Sequence, residues 1–408
     1  MKTTAIIAEF NPFHNGHRYI IEQARLITGA DSVIVIMSGD WTQSGKPAII
    51  SKEERTRAAL MNGADVVLLL PAAFSSCAQI FAYGAVSIIN GIGCVDTLCF
   101  GSEYDDITLL CEAANILTEE PEGFREHLML SQRQGMSYPA ALSYALSQTD
   151  GFIGRDFSLS PNTILGIEYI KALKELGSDI RPVAVKRVLS DHGQTRLSET
   201  EMTSATSIRA AVLSHDLNDL KKYMPQNSLD ILLKADLFDP DLLTPVVIYR
   251  LFIADENELA ELPDADPELI RHIKKCFLSA PADSFDSFIR YIQPKNTTYA
   301  RVCRLLTSML TQNSPVNRFT RALYARVLGF RGNTPLLKEL KEKSRLPVIT
   351  NVKDGRQLIT EYYEGDMRDE ALSLFDMDIY AGDLYRMLLH GATGSRHSAE
   401  EQQMIVKV

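Results

Sequence analysis

The feature that most constrains this chain is the alternation, between Thr4 and Lys186, of short apolar runs with segments of helical periodicity. Thr4–Ala8, Ser32–Met37, Val66–Leu70 and Thr97–Phe100 are strand-sized, and Asp179–Lys186 adds one more. A helix is expected from about Gly16 to Thr28, with Gly29 as its stop. Ser51 and Glu54 have capping-box spacing and start a helix that ends near Gly63, and Ile80–Asn90 reads as another. Strands separated by helices pair in parallel, because each helix returns the chain across a face of the sheet. Ligands of such sheets bind beyond the carboxyl ends of the strands. The loops at 9–16, 38–47 and 101–106 should therefore meet at one cleft.

After about residue 205 the pattern changes. Ser207–Leu213, Asn218–Tyr223, Leu229–Ala235, Pro267–Leu278 and Thr297–Leu310 fit helical periodicity. The acidic stretch Asp255–Pro267 reads as a surface connection, Leu346–His390 mixes short strands with a helix, and the polar tail after Gly391 reads as loose. The expected organisation is an α/β domain with a Rossmann-like parallel sheet over 1–210, then a mainly helical region over 211–408 with a small mixed C-terminal segment. The 408-residue length suits two or three domains.

With 45% apolar and 23% charged residues, the composition is that of a soluble globular protein. No apolar run is long enough to span a bilayer, and no cleavage site follows the first apolar stretch, so a cytoplasmic protein without membrane contact is expected. The six cysteines form no CxxC pair, which points to free thiols and suggests neither a zinc site nor a redox pair. A net charge of -10 excludes a generic polyanion binder, but a local basic face can still hold phosphates. Nothing in the sequence sets the oligomeric state.

The residues that carry chemistry are Glu9-Phe10-Asn11-Pro12-Phe13-His14-Asn15-Gly16-His17, between the first strand and the first helix. His14 and His17 flank Gly16 with HxGH spacing. A helix beginning there aims free N–H groups and a positive dipole end at the loop, which suits a triphosphate. Imidazoles can donate to an α-phosphate as charge builds on it, without the permanent charge of arginine. Taken alone, the motif also fits two surface histidines at a helix start. Thr203-Ser204-Ala205-Thr206-Ser207-Ile208-Arg209 is a second such segment. Ser204 and Thr206 could hold the β- and γ-phosphates with Arg209 supplying charge, or the stretch could be an ordinary Ser/Thr helix cap. Asp40, in the Ser38-Gly39-Asp40 turn, either positions substrate as a catalytic group or shapes the loop as an Asx-turn.

At this point the chain resembles the bacterial tRNA(Met) cytidine acetate ligases of the HxGH nucleotidyltransferase superfamily. The resemblance runs through Ala8–His17, Met37-Ser38-Gly39-Asp40, Pro47-Ala48-Ile49, Phe81-Ala82-Tyr83-Gly84-Ala85 and Phe100-Gly101-Ser102-Glu103. It continues through Ser160-Pro161-Asn162, Val185-Lys186-Arg187, Ser204-Ala205-Thr206, Arg326-Val327-Leu328-Gly329-Phe330 and Asp383-Leu384-Tyr385. It implies that ATP and acetate give acetyl-adenylate, and that the wobble cytidine of elongator tRNA(Met) then becomes N4-acetylcytidine. It also implies an ATP site formed by Ile7, Ala8, Glu9, Phe10, Asn11, Pro12, Phe13, His14, Asn15, Gly16, His17, Arg18, Tyr19 and Ile20 with Gly101, Asn162 and Arg187. Magnesium is expected with the ATP, and no protein ligand for a metal stands out. Gln43-Ser44-Gly45-Lys46-Pro47 differs from the Gln-Arg-Gly-Glu-Pro common in the family.

For RNA, the sequence offers basic residues next to aromatics: Tyr299, Arg301 and Arg304, then Arg318, Phe319, Arg321, Tyr324, Arg326 and Arg331. Arg318, Arg321 and Tyr324 or Arg326 could share a helix face that holds phosphates while a ring stacks on a base, or could form a solvated amphipathic face. Lys338, Lys341 and Lys343 follow, and Lys221, Lys222, Arg271, Lys274 and Lys275 are secondary candidates. Two other functions compete: a small-molecule nucleotidyltransferase or pantothenate-synthetase-like ligase, and a binding protein that has lost catalysis.

Overall fold

The computed structural model describes residues 1–155, 157–187, 203–311 and 319–408. The expected alternation is present. Strands β1 (Thr3–Ala8), β2 (Ser32–Ser38), β3 (Val66–Leu70), β4 (Thr97–Ser102) and β5 (Arg181–Lys186) alternate with helices α1 (Asn15–Thr28), α2 (Lys52–Met61) and α3 (Ala78–Ile92). Between β4 and β5 lie α4 (Ile107–Glu119), α5 (Glu122–Arg133), α6 (Tyr138–Ser147) and α7 (Pro161–Glu175).

The strand order is β5-β4-β1-β2-β3, all parallel. The chain winds outward from β1 through β2 to β3, then crosses back to β4 on the other side of β1. The order therefore reverses between β1 and β4, and the carboxyl ends of these two strands frame the crevice where such sheets bind ligands. The Val- and Ile-rich β2 and β3 are buried along their whole length, as expected of strands covered by helices on both faces.

The sheet does not end near residue 210. Strand β6 (Ala325–Phe330) pairs antiparallel with β3, and β7 (Val348–Ile349) and β8 (Val406–Lys407) pair with β6. The tail expected to be loose is tied down, because Glu400 is 0% exposed and β8 is part of the sheet. The Arg326 segment, read as a possible helix face, is strand β6.

The middle of the chain is helical. Helices α8 (Ala205–Leu213), α9 (Leu220–Tyr223) and α10 (Gln226–Lys234) form a small cluster with Ile49 and Ile50. Helices α11 (Leu243–Ile253), α12 (Glu256–Ala260), α13 (Pro267–Cys276), α14 (Phe285–Ile292) and α15 (Tyr299–Thr311) build a separate apolar core. The expected Asp255–Pro267 connection thus contains the short α12. Helices α16 (Leu336–Lys343), α17 (Gly355–Tyr362) and α18 (Gly365–Thr393) follow, and α18 packs on both the sheet core and the helical core. Among the described residues no helix is long and apolar enough to cross a membrane.

Candidate active site

The HxGH segment folds as a capping box in which both capping side chains are imidazoles. His14 is the N-cap of α1. Its Nδ1 accepts from the Gly16 N–H at 3.0 Å, and His17 Nδ1 accepts from the His14 N–H at 3.2 Å. This reciprocal pattern satisfies two helix-start donors that would otherwise lack partners. A neutral imidazole that accepts at Nδ1 carries its proton on Nε2. The backbone therefore presets both rings to present an Nε2–H donor.

The rings stack at 3.7 Å between centroids, on a floor made by Phe10 at 4.9 Å and Phe13 at 5.6 Å from His17. Gly16 is required for this stack, because a Cβ there would lie 2.9 Å from His14 Cε1. The tightest neighbour of Gly16 is thus the histidine itself. Phe10 turns the chain into the loop with φ +49, a left-handed conformation unusual for a bulky residue.

Burial, with the nearby Arg187 and Arg209 cations, lowers the His14 pKa to about 3. Burial, His14 and Arg187 hold His17 well below its ordinary value. Both rings are thus neutral donors at physiological pH, as the chemistry requires.

One pocket gathers the carboxyl ends of β1, β4 and β5 with the amino ends of α1, α7 and α8. Of the segment Ile7–Ile20, all but Pro12, Phe13, Asn15 and Arg18 line it, together with Gly101, Asn162, Arg187 and Arg209. Pro12 and Phe13 are buried beside it, and Arg18 is exposed and pairs with Glu22 at 3.6 Å. Asn15 Nδ2 donates to the Lys222 carbonyl at 2.9 Å, which brings α9 beside the start of α1. Ser204 caps α8 by accepting from Ser207 N–H at 3.1 Å. Thr206 Oγ1 accepts from Arg209 at 3.0 Å, and Arg209 also donates to the Asn11 carbonyl at 2.6 Å. Thr206 therefore helps aim Arg209, Ser204 caps the helix that carries it, and neither is among the pocket-lining residues.

Glu103 was quoted in the resemblance but not chosen as a site residue. It accepts from Asn162 Nδ2 at 3.1 Å and Thr163 Oγ1 at 2.8 Å, and its carboxylate lies 3.9 Å from Arg187. It orients both of those pocket residues. Tyr169, buried edge-to-face on Phe100 at 5.7 Å, also lines the pocket and was missed. So was Arg55, which is 0% exposed. It donates to the carbonyls of Glu9 at 2.7 Å, Ser38 at 3.1 Å and Gly39, stitching the loops after β1 and β2 together. A lone arginine inside a helix with no pattern around it offers no signal in sequence.

Asp40 does not line the pocket. It is 3% exposed and receives the Lys52 backbone N–H at 2.8 Å and the Lys52 ammonium at 2.6 Å. Burial would raise its pKa, but Lys52 and Arg386 outweigh this and hold it below the ordinary carboxylate value. This is an interior charge whose partners lie at the start of α2 rather than in its own turn, so the geometry shows neither a pocket group nor an Asx-turn. The Gln43–Pro47 loop packs on the helical region: Trp41 Nε1 donates to Ala381 O at 2.8 Å, and a Cβ at Gly45 would lie 2.4 Å from Arg304 N.

The basic residues expected to hold RNA do not share one face. Arg326 is 2% exposed and paired with Glu400, so it is corrected from a phosphate contact to part of an interior ion cluster. Tyr324 is fully buried, its hydroxyl bonded to Asp378. Arg304 forms a fork on Asp264 at 2.7 and 2.9 Å, and Arg301 binds Asp266 at 2.9 Å. Arg331 lies 3.7 Å from Asp65, Arg321 is exposed beside Arg345, and Arg318 lies outside the described residues.

A model of the HIGH Nucleotidyl Transferase family matches residues 1–401. A tRNA(Met) cytidine acetate ligase of Clostridium kluyveri is 39% identical, with 86% of this chain and 90% of that one covered. A ligase of the same name from Acetivibrio thermocellus is 33% identical over the full length of both chains. Among solved structures, Thermotoga maritima TmcAL bound with alpha-thio ATP is 27% identical, covers both chains fully and superposes with a TM-score of 0.88.

Proposed function

Because the chain belongs to the tRNA(Met) cytidine acetate ligases of the HIGH nucleotidyl transferase family, we propose that its pocket activates acetate with ATP and passes the acetyl group to a cytidine of tRNA(Met). The observation that carries this reading is the convergence of His14, His17, Asn162, Arg187 and Arg209 on the switch point of the sheet. Residues spread over most of the first half of the chain meet there with donors facing inward.

Acetate oxygen attacks the α-phosphorus of ATP, forming acetyl-adenylate and releasing pyrophosphate. The Nε2–H donors of His14 and His17 stabilise the charge that develops on the α-phosphate. Arg209 and Arg187 hold the departing phosphates, and α1 adds its positive end. Gly101 leaves room beside Arg187, whose Cγ a Cβ at that position would approach to 3.4 Å. Asn162, held by Glu103, offers its amide to the nucleoside. In the second half, the cytidine exocyclic amine displaces AMP.

Among the described residues no group of three His, Cys, Asp or Glu is placed to hold a metal ion. Magnesium therefore enters as the MgATP substrate, carried on phosphate oxygens and water, its usual manner of binding. For the RNA, the exposed Lys221 and Lys222 of α9 lie beside the start of α1, and Lys186 lies on the rim of the pocket. We place tRNA phosphates there.

The test is incubation of the protein with ATP, labelled acetate and tRNA(Met), followed by nucleoside analysis. Label should appear as N4-acetylcytidine only when ATP is present. Transfer of label to a small molecule but not to tRNA would favour the small-molecule ligase instead.

A further inference from the structure

The pocket has an apolar wall that includes Ile7, Phe81, Phe100 and Leu165, and its charged and polar groups are mostly donors or cations, among them Asn162, Lys186, Arg187 and Arg209, which suits a nucleoside triphosphate. Among its described lining residues there is one carboxylate, Glu9, at the end of β1. It is fixed from two sides. Arg55 donates to its carbonyl at 2.7 Å, and its Oε1 accepts from the Gln43 N–H at 2.6 Å. The other carboxylate oxygen accepts no hydrogen bond from a described residue. A carboxylate repels phosphates, so this oxygen is open to a hydrogen-bond donor rather than to the triphosphate. The groups it can serve are donors, and the donor brought by the second half of the reaction is an amine.

We propose that Glu9 is the catalytic base of acetyl transfer, taking a proton from the exocyclic amine of the cytidine as it attacks acetyl-adenylate; this rests on the functional reading above. The amine lone pair is delocalised into the cytosine ring, so attack is weak unless a proton leaves as the bond forms. The amine nitrogen bonds to the acetyl carbon, and one of its protons moves to the free oxygen of Glu9. The bond from the acetyl carbon to the phosphate oxygen breaks, and AMP leaves with the electron pair. Glu9 then returns the proton to water.

The charged and titratable groups facing Glu9 support this role. Burial raises its proton affinity above that of an ordinary carboxylate, although the Gln43 N–H and the Arg209 and Arg55 cations act the other way. Tyr169 lines the same pocket, and His14 and His17 stay neutral. A base with a higher proton affinity than a surface carboxylate suits the transfer.

The experiment supplies acetyl-adenylate and tRNA(Met) to the full chain and measures single-turnover transfer from pH 5 to 8. Wild-type transfer should rise with pH along one ionisation and then level off. Glu9→Gln, which keeps an acceptor for Gln43, should transfer about 10²–10⁴-fold more slowly and without that rise. Glu9→Asp should recover part of the rate and keep the pH dependence. Transfer by folded Glu9→Gln within a few-fold of wild type, or with the wild-type pH profile, overturns the assignment. So does an equal loss of acetate-dependent pyrophosphate release without tRNA, which would place Glu9 in the adenylation half. If Glu9→Gln does not fold, wild-type transfer by Glu9→Asp with an unshifted profile overturns it as well. If the wild-type protein acetylates no cytidine at all, the functional reading fails, and this inference with it.

Discussion

His14 and His17 each do two things with one ring: Nδ1 closes the cap of α1 and Nε2 faces the pocket. Losing a cap costs about 0.5–2 kcal/mol, whereas losing a donor to a developing charge costs about 10²–10³ in rate. His14→Asn keeps an N-cap and replaces the Nε2–H with a shorter amide that does not extend as far as the imidazole, so it should fold nearly as well as wild type and lose acetate-dependent pyrophosphate release by that factor. Wild-type release would refute the assignment. The low His14 value has its own consequence. Between its ordinary pKa of 6.5 and its folded value of about 3, the unfolded chain binds a proton that the folded chain excludes. The His14 contribution to stability is therefore complete above about pH 6.5 and falls as the pH drops toward 3. At pH 5 the loss is about 2 kcal/mol at about 1.4 kcal/mol per pH unit. Thermal unfolding of His14→Asn should lose less stability than wild type between pH 7 and 5, and equal losses would mean that the ring is not buried as a neutral group.

At the scale of elements, what could be read in sequence follows from how local the signal is. β1 and α1 were legible because the apolar period, the histidine spacing at the start of α1 and Gly29 at its end are all local signals within or next to these two elements. β6 was not. Its arginine and aromatics at spacings of two to three also fit a helix, and what makes it a strand is contact with β3 and a partner for Arg326 that lies 74 residues downstream. That partner, Glu400, also receives Lys52 at 2.8 Å and Arg386, and Lys52 in turn holds Asp40. The polar composition of the tail predicts looseness, but here one of its carboxylates pairs with three buried cations. Glu400→Ala takes the carboxylate from Arg326 and leaves Lys52 and Arg386 with Asp40 and Glu53 alone, and should destabilise the protein by about 3–5 kcal/mol, as removing one partner of a buried ion cluster does. Urea unfolding checks this, and a loss under 1 kcal/mol would mean that water or a neighbour replaces the carboxylate. Because the network carries Asp40 and lies against the loops held by Arg55, part of the lesion should appear as weaker ATP binding.

For the whole molecule, the α/β class and the drawing of the pocket-lining residues from before residue 210 were legible, since each rests on a run of local patterns. The RNA surface was not, because sequence cannot show which arginines already have carboxylate partners. The pairings of Arg301 and Arg304 with Asp266 and Asp264, and of Arg331 with Asp65, use charge that the spacing suggested was available. Lys221 and Lys222, ranked second in the sequence, stand exposed where α9 meets the start of α1. Charge reversal at both should weaken tRNA binding and flatten its salt dependence by about 0.7–0.9 per lost phosphate contact. Neither side chain lines the nucleotide pocket, so acetate-dependent pyrophosphate release without tRNA should stay close to wild type. Arg304→Glu provides the contrast: it places a carboxylate against Asp264 and should lower the unfolding temperature while leaving the salt slope of the folded fraction intact. Measuring tRNA affinity at two salt concentrations for both variants separates the two surfaces. An unchanged slope in the Lys221/Lys222 variant, with a reduced slope in Arg304→Glu, would move the RNA path from the mouth of the pocket to the helical core formed by α11–α15.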